Sequence, residues 1–413
     1  MTKQKLPAVA IFDNYWATTL AFVRSLGEQG VPLHVYGKGA GRWSRYCTAR
    51  RSCPPIDDAQ QFLPWLRERV RCGEITRVAP TTDLIAFYVS MIREEFSTEV
   101  QRSIAPLNEI ENCLIKTRFS QLCAVSGQSA LETVAPDDVD GAVSMAGSLG
   151  YPLLLKPKSH LVVGFIQRGR LVKNAQQLRG RFRQYSVVAG QEELAQSYPE
   201  LRRPMLQRYI PPTRGRVFSI SGVKDADGGV LTACLSYKLV QWPAHVGVSM
   251  VQMACEDQKI LDAGLQVVDQ LLSRGIFELE LLVDGEHMYA IDLNPRAFGF
   301  MELDLARGAN LPWLWFRTTL ERVLPLAQQP SGASMAADLR FLPFLGGFSL
   351  RRAKPRASIS MLGRWSDPLP KIIAHLYLLR HPRSVVRSQL AATRALRKAS
   401  PFALSAQPEG VSL

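Results

Sequence analysis

The 413-residue sequence predicts an α/β fold whose later part is α+β, and three stretches carry that prediction. Residues 8 to 12, AVAIF, form an unbroken apolar run suited to a strand buried on both faces. A helical pattern through Leu20, Val23 and Leu26 follows, closed by Gly27 and Gly30, and a second strand runs from Leu33 to Tyr36. This β-α-β opening starts a doubly wound sheet. Much later, Asp257 to Arg274 places Ile260, Leu261, Leu265, Val268, Leu271 and Leu272 on one stripe of an amphipathic helix that Gly275 ends. From Ile276 to Arg296, Phe277, Leu279 and Leu281 alternate with Glu278 and Glu280. Tyr289, Ile291 and Leu293 then alternate with Asp292 and Asn294, giving two half-buried strands around an Asp284-Gly285 turn.

Composition narrows the class. At 46% hydrophobic the chain can bury substantial cores, enough for about two to four compact units. No apolar run approaches a membrane span and the first residues lead into a strand without the apolar stretch of a signal peptide, so a cytoplasmic location is expected. The seven cysteines include no Cys-x-x-Cys pair and no matching His spacing, which reads as reduced thiols and not as zinc ligands. The net charge of +14 is uneven: from Ser331 onward thirteen Lys and Arg face three Asp and Glu, a net +10. No aromatic-basic module accompanies that charge, so no nucleic-acid partner is expected.

Taken in order, the first turn reads Asp13-Asn14-Tyr15-Trp16 and lacks the Gly-x-Gly-x-x-Gly phosphate fingerprint, so a dinucleotide cofactor is not supported. A strand-like run, Arg77 to Pro80, leads through Thr81-Thr82-Asp83 into an apolar helix reaching about Glu95. Asn14, Trp16 and Asp83 fall at carboxyl ends of strands, where they either touch a substrate or serve as turn and cap residues. Lys116 opens a helical pattern; a lone helix lysine is ordinarily solvated. Lys156 ends the strand PLLLKPK, where an ammonium is costly unless it meets an anion or water. The loop from Lys158 to Gly164 is poor in glycine. Met205 to Ile210, MLQRYI, is a strand, and GRVFSISGVKDADGGVLTACLSYKLVQWP gives two or three more with an Asp227-Gly228-Gly229 turn and Lys238 near the end. Gln241 to Ser249 reads as an irregular loop containing His245.

The acidic hairpin is the chemical centre. With Asp284 paired to Met288 across a three-residue loop, Glu280 lies opposite Asp292 and Glu278 beside Asn294 on one face. A two-residue loop alone would put Glu280 and Asp292 on opposite faces, so the arrangement requires an odd loop or a bulge. Carboxylates directly opposite repel unless solvent or a cation intervenes, and two carboxylates with an amide suit Mg²⁺ or Mn²⁺ held with phosphates. Arg296 follows, able to meet a phosphate or carboxylate as a fork. The alternative is an acidic, solvated strand face.

An acidic residue on one strand, a short hairpin and then Asp292-Leu293-Asn294-Pro295-Arg296 resembles the metal-binding core of the ATP-grasp superfamily, and the whole is similar to predicted carboxylate-amine ligases. The resemblance runs from about Ala105 to about Leu324. It implies a Rossmann-like domain at 1–104, a small ATP-grasp lobe at 105–190, a large lobe with the metal hairpin at 191–325 and a basic, helical C-terminal extension at 326–413. It implies ATP and Mg²⁺ (or Mn²⁺) as cofactors, with Glu280, Asp292 and Asn294 as metal ligands; the position of Asp292 is more often Glu in the family. Lys116 and Lys156 are then nucleotide-phosphate lysines. Gln207, Tyr209 and Ile210 lie in the segment that packs the adenine, with Arg208 where an acid is usual. Lys238 stands near the transferring phosphate, and Arg296 joins it as a catalytic residue.

The implied reaction is ligation of a small-molecule or peptide carboxylate to an amine through an acyl phosphate. A phosphotransferase of the same fold and a non-catalytic nucleotide-binding protein are the alternatives. Phe298-Gly299-Phe300, Glu302 and Asp304 are candidate pocket residues, with helix capping as the other reading of the acids. Residues 371 to 398 give a basic amphipathic pattern interrupted at Pro382, which raises a peripheral membrane contact.

Overall fold

A computed structural model describes residues 6–13, 16–125, 129–163, 169–242, 247–320, 339–342, 357–360 and 363–380. Its three sheets follow the chain in turn. The first is parallel and holds β1 (Val9–Asp13), β2 (Leu33–Gly37) and β3 (Ala49–Arg51). β1 is buried along its whole length, as the unbroken apolar run requires. The expected strand at Arg77 to Pro80 contributes one bridge, Val78 beside Ala10, so it docks on β1 without forming a full strand.

The helix after β1, Trp16–Glu28, passes through Gly27 instead of ending there. A Cβ at Gly27 would lie 2.3 Å from Tyr46 Cβ, so this glycine serves close packing. Gly30, at φ +78°, makes the left-handed exit. Helix Ala59–Arg71, capped by Asp58, covers the same domain, and its buried Phe62, Leu66 and Val70 recur every fourth residue.

The second sheet is antiparallel, in the order β4 (Thr133–Val134), β7 (Pro204–Arg208), β5 (Leu153–Pro157), β6 (Arg170–Val172), and so draws strands from both sides of residue 190. The third begins with β8 (Arg216–Lys224), β9 (Val230–Trp242) and β10 (Val248–Ala254) and continues with β11 (Gly275–Asp284) and β12 (His287–Asn294). β13 (Leu339–Leu342) and β14 (Ala357–Ser360) complete it, in the order β12-β11-β8-β9-β10-β13-β14. The extension expected to be helical thus adds two strands to the large sheet; its helix, Leu369–Arg380, is described only that far. Of the expected loop from Gln241 to Ser249, Gln241 and Trp242 end β9 and Val248 and Ser249 begin β10, while residues 243–246, His245 among them, lie outside the described residues.

The amphipathic helix is Gln258–Leu271, capped by Asp257, with Gly275 (φ +96°) opening β11. Phe12, Leu281, Val268 and Ile220 belong to one buried cluster, so the first and third sheets share a core. Among the described residues no helix is long and apolar enough to cross a membrane, and all seven cysteines are free thiols.

Candidate active site

The hairpin reaches the expected pairing by a different route. Asp284 pairs with His287 across a two-residue loop, Gly285-Glu286, and Leu281 pairs with Ala290. A bulge then leaves Ile291 unpaired and sets Glu280 opposite Asp292, with Glu278 opposite Asn294. The three-residue loop is therefore corrected to a short loop plus a bulge. One extra residue restores the face that the short loop would have reversed.

Three lysines converge on this face from other elements. Lys116 opens helix Lys116–Val125, which packs against β12; its backbone N–H is tied to Lys158 O at 2.8 Å and its ammonium donates to Asp292 Oδ1. Lys238, on β9, donates to Glu280 Oε1 at 2.6 Å. Lys156, on β5, donates to Gln207 Oε1 at 3.1 Å, and Gln207 is held in turn by its own Nε2 donating to Thr133 Oγ1 at 3.1 Å.

These neighbours set the protonation states. Burial and then the charge of Lys116 lower the pKa of Lys156 to about 8. Burial also pulls Lys238 down, but Glu280 and Glu278 outweigh it and hold Lys238 above the ordinary lysine value. Burial pushes Asp292 up, yet Lys116 and Lys156 together carry it below the usual carboxylate range. Glu278, buried and beside Glu280, rises to about 7.

Asn294 Nδ2 donates to Glu278 Oε2 at 2.7 Å, and its Oδ1 accepts from Arg296 Nη2 at 2.9 Å. Arg296 Nη1 donates to Ala297 O at 2.7 Å and its Nε pairs with Asp83. Ala297 N donates to Pro80 O at 2.8 Å, so the hairpin's end is fastened to the first domain. Asp83, read as a substrate or cap residue, instead anchors Arg296; the capping is done by Thr82, whose hydroxyl accepts from Ile85 N at 3.2 Å. Asn14 and the Trp16 side chain lie outside the described residues.

The donor set fits a magnesium ion. Glu280, Asp292 and Asn294 offer hard oxygens on one strand face, and among the described residues Glu278 Oε1, although buried, finds no hydrogen-bond donor. The described residues hold no cluster of three or more acidic, His or Cys ligands that could enclose a metal unaided. An ion here would draw the rest of its shell from water and phosphate oxygens, as magnesium commonly does.

Tyr209 and Ile210 lie past the end of β7, half-buried, and Ile210 packs beside Gly215. Arg208 points to the surface, 3.6 Å from Glu132, which keeps its charge away from Lys156. Leu161, Val162 and Val163 are buried in the core, with Val188 N donating to Val162 O at 2.9 Å. The loop that begins at Lys158 thus turns Leu161 to Val163 into the core, and Gly164 lies outside the described residues.

Phe298 and Phe300 pack on each other at 4.7 Å in the core. Asp304 is buried, accepts from Ser221 Oγ at 2.7 Å and has its pKa pushed up to about 6 by that burial; Glu302 binds Arg364 at 2.7 Å. All four side chains are buried. His160, half-buried just after β5, was missed: when protonated it adds to the lysines in lowering the pKa of Asp292.

No family model matches the sequence. Over 220 residues the chain is 24% identical to the carbamoyl phosphate synthase large chain of Pyrococcus furiosus, a stretch covering 51% of this chain and only 19% of that protein. Its structure is similar to a biotin carboxylase–βγ-ATP complex from Campylobacter jejuni, with TM-score 0.59, 15% identity, 77% of this chain and 72% of that one. It is also similar to an L-amino acid ligase from Bacillus licheniformis, with TM-score 0.56, 13% identity, 78% of this chain and 79% of that one. These structural neighbours are ATP-grasp enzymes, and the chain has the ATP-grasp fold.

Proposed function

We propose that the protein is an ATP- and magnesium-dependent ligase that joins a carboxylate to an amine through an acyl phosphate, releasing ADP and phosphate. The observation that carries this reading is the interleaving of charge at the hairpin: Lys116 on Asp292, Lys238 on Glu280, and Lys156 between them on Gln207. Such an array exchanges partners without stranding a buried charge. When nucleotide phosphates enter, Lys116 and Lys238 turn from their carboxylates, and Lys156 from Gln207, to phosphoryl oxygens, and the freed carboxylates would be available to a metal. The likeness to an L-amino acid ligase supports ligation over phosphorylation alone.

In this reading Glu280, Asp292 and Asn294 would hold the magnesium ion, which when bound would offset the charge gathering on the transferred phosphoryl group. Lys116 and Lys156 bind the phosphates, while Gln207, Tyr209 and Ile210 border the adenine. Lys238 and Arg296 orient the phosphoryl acceptor. The substrate carboxylate oxygen attacks the γ-phosphorus and the bond to ADP breaks. The amine nitrogen then attacks the acyl carbon, and the C–O bond to phosphate breaks with loss of the amine proton. The small lobe, whose sheet takes β7 from beyond residue 190, and the large lobe with the hairpin enclose the nucleotide, and a cytoplasmic location accompanies ATP use.

The test is ADP and phosphate release with Mg²⁺, ATP and pooled amino acids and other small carboxylates, with Glu280→Gln as control. Substrate-stimulated release that disappears in the control is expected, and omitting pool members singly identifies the substrates. A stable phosphorylated product formed without any amine would replace ligase by phosphotransferase.

A further inference from the structure

Residues 363–380 are fastened to the first domain by buried polar contacts. Asp367, 1% exposed, receives Arg24 Nε at 3.0 Å, Ser44 Oγ at 2.7 Å and Arg45 N at 2.9 Å, while Arg24 Nη2 donates to its carbonyl at 3.0 Å. Arg364 bridges Glu28 and Glu302, at 2.7 Å each. The backbone is thereby fixed on both sides of Trp365, whose side chain is fully exposed. Exposure of so large a ring on an anchored segment costs solvation that ordinary surface residues avoid.

Helix Leu369–Arg380 continues the apolar surface. Leu369, Ile372 and Leu376, spaced by three and four residues, share one helix face and are 41%, 50% and 52% exposed. The helix packs against the turn at Ala40–Trp43. Beside that turn Arg50 lies over the Trp43 ring at 4.7 Å and Arg45 over the Tyr46 ring at 5.5 Å, both arginines exposed. An aromatic-apolar stripe therefore adjoins arginines held by aromatic faces.

We infer that this surface binds the anionic face of a lipid bilayer, with Trp365 and the Leu369–Ile372–Leu376 stripe entering the interfacial layer and the arginines meeting lipid phosphates. Charge selects this occupant. Arg45 and Arg50 stand exposed beside the stripe, and the sequence from Ser331 onward has thirteen basic and three acidic residues, most of them outside the described residues, a balance that matches an extended anionic plane better than an uncharged apolar groove. Tryptophan suits the headgroup level, where one part of the ring is wet and the other apolar. The inference is independent of the proposed catalytic reading, since neither Lys116 nor any hairpin residue takes part.

Co-sedimentation of the full chain with vesicles of phosphatidylcholine alone, or mixed with phosphatidylglycerol, tests it. The wild type is expected to sediment with the mixed vesicles and not with the neutral ones. Trp365→Ala and the double variant Ile372→Glu/Leu376→Glu should bind at least about tenfold more weakly, with unchanged thermal unfolding. Should the double variant misfold, Trp365→Ala alone decides, because its ring fills no core space. A wild type that stays in the supernatant with both vesicles overturns the inference. So do variants that sediment like wild type, and so does a dimer that these substitutions dissociate in the absence of vesicle binding.

Discussion

Asp83 and Arg296, 213 residues apart in the chain, form a largely buried ion pair that joins the first domain to the end of the acidic hairpin. Burial alone would lower the pKa of the guanidinium, but the charge of Asp83 outweighs it and keeps Arg296 firmly protonated. The pair fixes Nε, while Nη2 is held by Asn294 and Nη1 by Ala297 O. Arg296 is thus oriented by groups from two domains.

Asp83→Ala removes the Nε partner of a buried arginine and is expected to cost about 3–5 kcal/mol of stability. Asp83→Asn retains a hydrogen-bond acceptor, so most of that stability should return while turnover stays below wild type. Urea unfolding read beside kcat and KM for the carboxylate substrate checks this: a kcat defect in Asp83→Asn with unchanged stability marks positioning of Arg296.

Glu280→Gln and Asp292→Asn should each lower ATP turnover by at least about 10²-fold, the scale of losing one preorganised electrostatic contact. The fold should survive, because the amide oxygens still accept from Lys238 and Lys116. Steady-state ADP release and thermal unfolding measured on both variants are the check, and full activity in both would remove the metal assignment.

Lys156, with its pKa lowered to about 8, should give nucleotide binding a basic limb. Below that value the ammonium is present to meet a phosphate; as pH rises through it, the charge and the affinity fall. The linkage to stability runs oppositely. The unfolded chain binds the extra proton between about 8 and the ordinary lysine value, so the cost of burying this charge is full below about 8 and relieved above it. Lys156→Arg remains charged and should flatten the pH dependence of nucleotide affinity, measured by calorimetry across that range.

Asp367→Ala should destabilise the chain by about 3–5 kcal/mol, because it leaves Arg24, wholly buried, without its principal carboxylate. A lowered urea midpoint with unchanged slope is the expected result. An unchanged midpoint would mean that residues 363–380 are not held through this contact.

The hairpin was legible because strand alternation puts Glu280, Asp292 and Asn294 on polar positions of two adjacent strands, and the resemblance of Asp292-Leu293-Asn294-Pro295-Arg296 to the ATP-grasp core marks them as metal ligands. Alternation fixes only parity, however, so it required an odd loop or a bulge without distinguishing them; the unpaired Ile291 appears only in the register with β11. Lys116, Lys156 and Lys238 were found through the order of motifs, and the structure gathers them with the carboxylates. Asp83 was seen as a residue at a strand end, but nothing in local sequence couples it to a partner 213 positions away. Glu302 and Asp304 look like pocket acids because sequence does not reveal that Arg364 and Ser221 neutralise or bond them in the interior. Helix Ala59–Arg71 did leave a signal, Phe62, Leu66 and Val70 at four-residue spacing, although Pro64 obscures it.

The most direct measurement is the fate of carboxylate oxygen. A pool of small carboxylates labelled with ¹⁸O, incubated with the protein, Mg²⁺, ATP and amines, should yield inorganic phosphate carrying ¹⁸O, since the acyl-phosphate oxygen leaves with phosphate when the amine attacks. Substrate-dependent phosphate release without label, under conditions where Glu280→Gln releases none, would contradict the acyl-phosphate account.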